Sequence, residues 1–304
     1  AAGPLLGGTL TQLFDWPAIF LVNVPWALVA LGLIVVASKK QTEKRKGRLD
    51  IRSTILLALA IGSLQMGFLG SSIDFMSLIP GIGLLGFFIV LQLRIDEPVF
   101  NPRFFRRPAY LAAGCTTALA NFTMYALLFQ LPVFSHDIRA VSEIEIASAL
   151  TAMTLCMMLG GPLSGFAGRY IGIRYTAVVA ACTNLFGLYL FSDLATAMVP
   201  ADIIIAMVVM GFAGGMAGPV VQSAGMLTIE KENAGMAAGG LSTMRYFGGA
   251  IGISVLSLQL STDGLTTLDQ HLSMIPFYAT ALTLVLMAVF LLPVSTKTQA
   301  VWRQ

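Results

Sequence analysis

The chain reads as an all-α polytopic membrane protein of about nine full transmembrane helices plus a half helix. Three observations predict this. First, 57% of its residues are hydrophobic and only 11% are charged, against about 25% charged in a soluble domain. So few charges cannot solvate the surface of a globular protein of 304 residues. Second, long apolar runs recur with short polar breaks between them. Third, the basic residues collect at alternate breaks. Segments of this kind must be helices, because an unclosed stretch in lipid has to satisfy its own backbone. A barrel would show alternating strands of about ten residues, and none is present.

The elements follow in order. Residues 1–14 form an apolar run opened by Gly3-Pro4-Leu5-Leu6-Gly7-Gly8. At about 1.5 Å per residue it is too short for a hydrocarbon core of about 30 Å, so it reads as the second half of a membrane helix. That reading makes the chain the C-terminal portion of a longer protein. Spans follow near 17–37, 52–70, 75–94, 108–134, 142–167, 173–193, 201–227, 234–260 and 274–294. Asp202 after Pro200, and Glu143 and Glu145 after Ser142, read as first-turn acids of their helices. Between two spans, Arg103-Phe104-Phe105-Arg106-Arg107 reads as an amphipathic lead-in with its phenylalanines at the lipid interface.

Orientation comes from lysine and arginine placement. The break at 38–52 holds Lys39, Lys40, Lys44, Arg45, Lys46, Arg48 and Arg52, and the break at 94–107 holds Arg94, Arg103, Arg106 and Arg107. Arg169 and Arg174, then Lys231, then Lys297 and Arg303 continue the same side. This side is expected to face the cytoplasm, which makes the C-terminus cytoplasmic. The basic run 38–50 reads as a solvated, topology-fixing loop, with no nucleic-acid partner.

Chemistry-bearing residues are few. Arg245 lies inside span 234–260, where a charge costs about 2.5–3.5 kcal/mol. Two readings stay open: a cavity charge that holds substrate or helps couple protons, or a structural charge that snorkels toward an interface. No carboxylate in the other spans is an obvious mate. Thr117, Asn121 and Tyr125 fall on one helix face by i, i+4 spacing and form a candidate cavity stripe. Gln222 follows Pro219 and is a further candidate. The glycines at 160–168, 211–218 and 248–252 permit close helix packing and also bending.

Cys115, Cys156 and Cys182 lie inside apolar runs and read as buried free thiols. His136 and His271 fall in expected loops. Neither a metal-ligand spacing nor a nucleophile–base set is present, so an enzyme is not expected, and no phosphate-binding Gly-Lys loop for ATP is found. No cofactor is expected, the energy source being a proton gradient.

Gly3-Pro4-Leu5-Leu6-Gly7-Gly8, then Trp16 and Ile19 to Pro25, resembles the fifth-helix antiporter motif and the start of helix six in the major facilitator superfamily. Asn233 to Gly252, including Met244-Arg245-Tyr246, resembles the thirteenth helix of its 14-helix drug:proton antiporters, the EmrB/QacA-like group. The pair 52–70 and 75–94 fits that group's extra helices. The resemblance covers helices five to fourteen and lacks helices one to four, so their acidic and basic motifs have no counterpart. Gly165 to Arg174 resembles a second copy of the helix-two/three loop, with Arg169 at its usual acidic position, which puts that loop's charge relay in doubt.

The resemblance implies a partial major facilitator fold: 1–37 as the end of the N-terminal bundle, 38–107 as cytoplasmic loop, extra helix pair and linker, and 108–304 as a six-helix bundle with a short tail. It implies proton-coupled efflux of drugs or other amphiphilic small molecules by alternating access, from the inner (plasma) membrane. Gly3, Pro4, Gly7 and Gly8 would pack helices and seal the outer side. Arg245, Asn121, Tyr125 and Gln222 are the candidate cavity or coupling residues. Partners would be the substrate, the bilayer and, in a Gram-negative cell, a periplasmic adaptor and outer-membrane channel. Lacking much of one half of the cavity, this stretch alone is not expected to transport. The rival readings are proton-coupled uptake of a small solute and a non-transporting receptor or enzyme on the same fold.

Overall fold

The computed structural model describes residues 3–15, 17–38, 50–68, 73–95, 98, 100–138, 143–194 and 200–260. Among them are ten α-helices and no strand. Six helical stretches are long and apolar enough to cross a membrane. The expected span 274–294, the basic residues of 39–49 and the tail with Lys297 and Arg303 lie outside the described residues, as do Trp16, Ser142 and His271. The chain divides into two compact units, 1–49 and 50–304.

The first unit holds α1 (Gly3–Phe14), α2 (Pro17–Leu21) and α3 (Asn23–Ser38). Gly3, Pro4, Gly7 and Gly8 all lie in α1. Asp15 joins α1 to α2 in the left-handed region, at φ 68°, a conformation that Asp tolerates better than most residues. The span expected at 17–37 is interrupted at Val22. Pro25 brings no N–H and suits the first turn of a helix, so α3 starts afresh. Asn23 bridges the junction, its Nδ2 donating to the Ile19 carbonyl at 3.0 Å.

The second unit opens with a hairpin, α4 (Ile51–Met66) and α5 (Phe75–Arg94). Both helices start on an aspartate cap. Asp50 accepts from the Ser53 amide at 3.1 Å and from the Ser53 hydroxyl, and Asp74 accepts from the Met76 amide at 2.9 Å and the Ser77 hydroxyl at 2.7 Å. These serine hydroxyl and backbone donors hold both carboxyls below their ordinary range. Gly67 caps α4, so the helix stops short of residue 70, and the Asp74 amide returns to the Gly67 carbonyl at 2.9 Å.

A 3-10 turn at Pro102–Arg106 leads into α6 (Pro108–Ile138). Its phenylalanines turn inward and not toward lipid. Phe104 is 5% exposed and meets Tyr110 edge-on, and Phe105 does the same at 5.1 Å between ring centroids. An aromatic pocket was available beside α6, and the sequence of the lead-in alone did not show it. α6 also runs past the expected loop, which puts His136 in helix.

The remaining helices are α7 (Glu143–Tyr170), α8 (Ile173–Leu194), α9 (Pro200–Met226) and α10 (Ala234–Leu260). Gly172, at φ 91°, makes the tight turn between α7 and α8, a backbone angle open to glycine without strain. α9 packs on α7, α8, α6 and α10 and so lies at the centre of the unit.

The packing inverts the pattern of a soluble core. Ala112, Ala126, Ala206 and Ala237 are fully buried, whereas Phe166 is 65% exposed. Lipid is as apolar as leucine, so large side chains gain little by turning inward, and close backbone approach holds the helices instead. Gly211 and Gly215 of α9 lie where a Cβ would collide with the carbonyls of Met153 and Met157 in α7. Gly248 and Gly252 of α10 meet Ala118 and Phe122 of α6 in the same way. The three thiols are free. Cys115 and Cys156 are half-buried, but Cys182 is exposed, which corrects the expectation of burial: it sits on the outer face of α8.

Candidate functional site

Two apolar clusters brace the bundle at different heights. One joins Leu127, Met153, Leu188, Phe191 and Met207. The other joins Phe104, Tyr110, Val221, Ala237 and Leu241. Between them lies a cavity of about 540 Å³, lined from α6, α7, α8, α9 and α10.

The four residues singled out as cavity candidates, Asn121, Tyr125, Gln222 and Arg245, all line this cavity. Thr117, Asn121 and Tyr125 share it as one stripe of α6. The stripe is partly self-satisfied, because Asn121 Nδ2 donates to the Thr117 carbonyl at 2.8 Å, leaving Oδ1 as an acceptor. Arg245 Nη2 donates to Gln222 Oε1 at 3.2 Å, joining α10 to α9. Among the described residues no Asp or Glu pairs with Arg245, and it is the only charged residue of the lining. Tyr246 beside it also lines the cavity and is 65% exposed.

Much of the wall went unread in the sequence. Met124, Met153, Met157, Met207 and Met210 supply it, and methionine suits a surface that must adapt to varied shapes. The spacing of 153/157 and 207/210 puts each pair on one helix face, a signal that was present. Thr116 was also passed over. Its Oγ1 is buried with no hydrogen-bond partner among the described residues, so the cavity wall keeps one unsatisfied hydroxyl.

At one end of α6 the packing is tied by polar contacts. The Tyr110 hydroxyl donates to the Ala237 carbonyl at 2.8 Å, fully buried. Arg107 and Glu230 form an exposed ion pair at 2.7 Å. Hydrogen bonds from Arg107 and Asn233, with the guanidinium charge, hold the Glu230 carboxyl below its ordinary range. No group of three or more His, Cys, Asp or Glu residues suited to a metal occurs among the described residues.

Residues 1–253 match the sequence profile of the Major Facilitator Superfamily. The chain belongs to that superfamily. Its helices and its mid-bundle cavity are therefore those of a partial major facilitator fold. Among curated relatives, it is 25% identical over 280 residues to Multidrug resistance protein Stp of Mycobacterium tuberculosis, covering 89% of this chain and 51% of the relative. It is 28% identical over 272 residues to Methyl viologen resistance protein SmvA of Salmonella typhimurium, covering 86% and 54%. Multidrug resistance protein 3 of Bacillus subtilis is 25% identical over 265 residues, covering 83% and 51%. The chain spans about half the length of these relatives. It is a transporter-family, integral membrane protein.

Proposed function

We propose that the protein is a secondary active transporter that exports drugs or other amphiphilic small molecules in exchange for protons. The observation that carries this reading is the cavity. Its volume of about 540 Å³ suits a small organic molecule, since such pockets run to about 300–1,000 Å³ and combine apolar walls with a few placed polar groups. Methionine and alanine supply much of the wall here, and Arg245, Gln222, Asn121 and Tyr125, with Asn184, Thr116 and Thr117, supply polar groups. Relatives named for multidrug resistance support export of such compounds, and one named for methyl viologen resistance supports export more broadly.

In this reading the cavity lined by α6–α10 opens to each side of the membrane in turn. The glycine contacts of α7 with α9 and of α6 with α10 let helices slide, and Gly3, Pro4, Gly7 and Gly8 help close the outer side. The proton gradient supplies energy, without a cofactor. No carboxylate lines the described cavity, so the proton carrier of this proposal belongs elsewhere in the protein. The inner membrane is the proposed location, with the basic breaks and the C-terminus cytoplasmic. A periplasmic adaptor and outer-membrane channel would be partners in a Gram-negative host.

The test is flux in everted vesicles bearing the full-length protein. A fluorescent amphiphile should accumulate when the lumen is acidified and leave when a protonophore collapses the gradient. Accumulation that ignores the gradient refutes proton coupling. Movement in the opposite sense refutes export.

A further inference from the structure

We infer that the cavity selects amphiphilic organic anions, with the Arg245–Gln222 couple receiving a carboxylate or sulfonate and the methionine wall receiving the apolar body. The inference rests on the transport reading and narrows its substrate class.

The charge count comes first. Arg245 is the only charged group of the described lining, and its bonded partner is a neutral amide. A neutral partner stabilises the guanidinium by hydrogen bonding but leaves its whole charge in the cavity. Arginine is not deprotonated in proteins, so that charge is permanent.

Donor geometry points the same way. Gln222 spends its Oε1 on Arg245 Nη2. What the couple has left to offer is mostly donors, the remaining guanidinium N–H groups and the glutamine N–H₂, beside one lone pair on Oε1. A donor-rich surface around a positive charge matches a planar or tetrahedral oxyanion and repels an ammonium. The guanidinium fork fits such groups with two parallel bonds. The acceptor Asn121 Oδ1 stands on α6 and serves a neutral donor on the same molecule.

The wall sets the rest of the class. Met153, Met157, Met207 and Met210 line the cavity from α7 and α9, and flexible thioethers accept aromatic or branched alkyl bodies without demanding one shape. A hydrophilic anion such as free phosphate gains nothing from them.

Magnitude decides whether the effect is measurable. A unit charge held about 6 Å from another, at an effective dielectric near 20, shifts affinity about a hundredfold in either direction. The Arg245–Gln222 pair is only half-buried, which weakens the effect, so about tenfold is the expected floor.

The experiment uses purified full-length protein in nanodiscs of zwitterionic lipid, with a matched pair of probes: a naphthalenesulfonate and a naphthyl-trimethylammonium ion. Empty discs give the lipid background. The wild type should bind the sulfonate at least about tenfold more tightly than the ammonium. Arg245→Gln should erase that preference, and Arg245→Lys should keep its sign while reducing its size. Raised sodium chloride should weaken sulfonate binding alone, a readout that needs no variant and so survives misfolding of either one. Equal affinities, a preference for the ammonium, or a preference unchanged in Arg245→Gln overturns the inference. Flux in proteoliposomes separates it from the transport reading. If the ammonium moves with the pH gradient and the sulfonate neither binds nor moves, the anion assignment fails and transport stands. If the sulfonate binds selectively and neither probe moves, transport fails and the anion site stands.

Discussion

Two neighbouring glycines of α9 should respond oppositely to the same substitution. A Cβ on Gly215 would lie 2.9 Å from Met157 C and Cα and still closer to its carbonyl oxygen. Ordinary van der Waals contact begins near 3.4 Å, so α7 and α9 must part by at least about half an ångström. The atoms in the way are backbone, and no side-chain rotamer relieves them. Overpacking of this kind costs about 1–3 kcal/mol. In lipid the cost is not offset by hydrophobic association, because close packing is what holds these helices together. On Gly214 a Cβ meets no atom within 4 Å, and glycine-to-alanine in a helix gains about 0.5–1 kcal/mol. Thermal unfolding of the detergent-solubilised protein, followed by fluorescence-detected size exclusion, reads the contrast. At about 2–4 °C per kcal/mol, Gly215→Ala should lower Tm by about 2–12 °C, and Gly214→Ala should leave it unchanged or raise it. Equal shifts for the two variants, or a neutral Gly215→Ala, would refute the account of the α7–α9 interface as a backbone contact.

Other outcomes follow from the same structure. Tyr110→Phe removes one buried hydrogen bond to the Ala237 carbonyl and should cost about 1 kcal/mol, read as a Tm drop in the same assay with the aromatic packing preserved. Gly214 lines the cavity, and a Cβ there meets no atom within 4 Å, so the ring of Gly214→Phe should fill cavity space and lower flux at unchanged protein yield in vesicles. The Arg107–Glu230 pair should respond to pH. The Glu230 carboxyl is held below its usual 4.5, so its contribution is full above that value and is lost as pH falls through the lower folded value. The Tm of Glu230→Gln should accordingly lie slightly below wild type at neutral pH and converge with it on acidification. Because the pair is exposed, the gap should be small and should shrink with salt.

Much of the fold was legible because lipid imposes a simple grammar. α5 runs over the residues that hydropathy assigned to it, 75–94, since a span must be apolar and its flanks need not be. Ends were less legible. The expected span 17–37 stands as one apolar stretch, Pro17–Val36, but its helix is broken at Val22 ahead of Pro25, and hydropathy does not register a missing N–H. The lead-in phenylalanines were misplaced for a related reason. An apolar side chain beside arginines suits either a lipid interface or a protein pocket, and only the position of Tyr110 decides between them.

The two arginines at the bundle show what sequence alone could not separate. Both Arg107 and Arg245 invite a search for a carboxylate. Arg107 finds Glu230, 123 residues away and in the open, and its charge is neutralised. Arg245 finds Gln222, only 23 residues away, with both side chains half-buried, and its charge is not. The glutamine was visible as one of several intramembrane polar residues, but its pairing depends on how α9 and α10 cross, which no spacing along the chain encodes. An acid partner would neutralise the charge of Arg245 within the bundle, at the added cost of desolvating a second ion. Bonding to an amide fixes the guanidinium in place while leaving its field in a cavity whose described lining holds no opposing charge, an arrangement that is stabilised further when an anion enters.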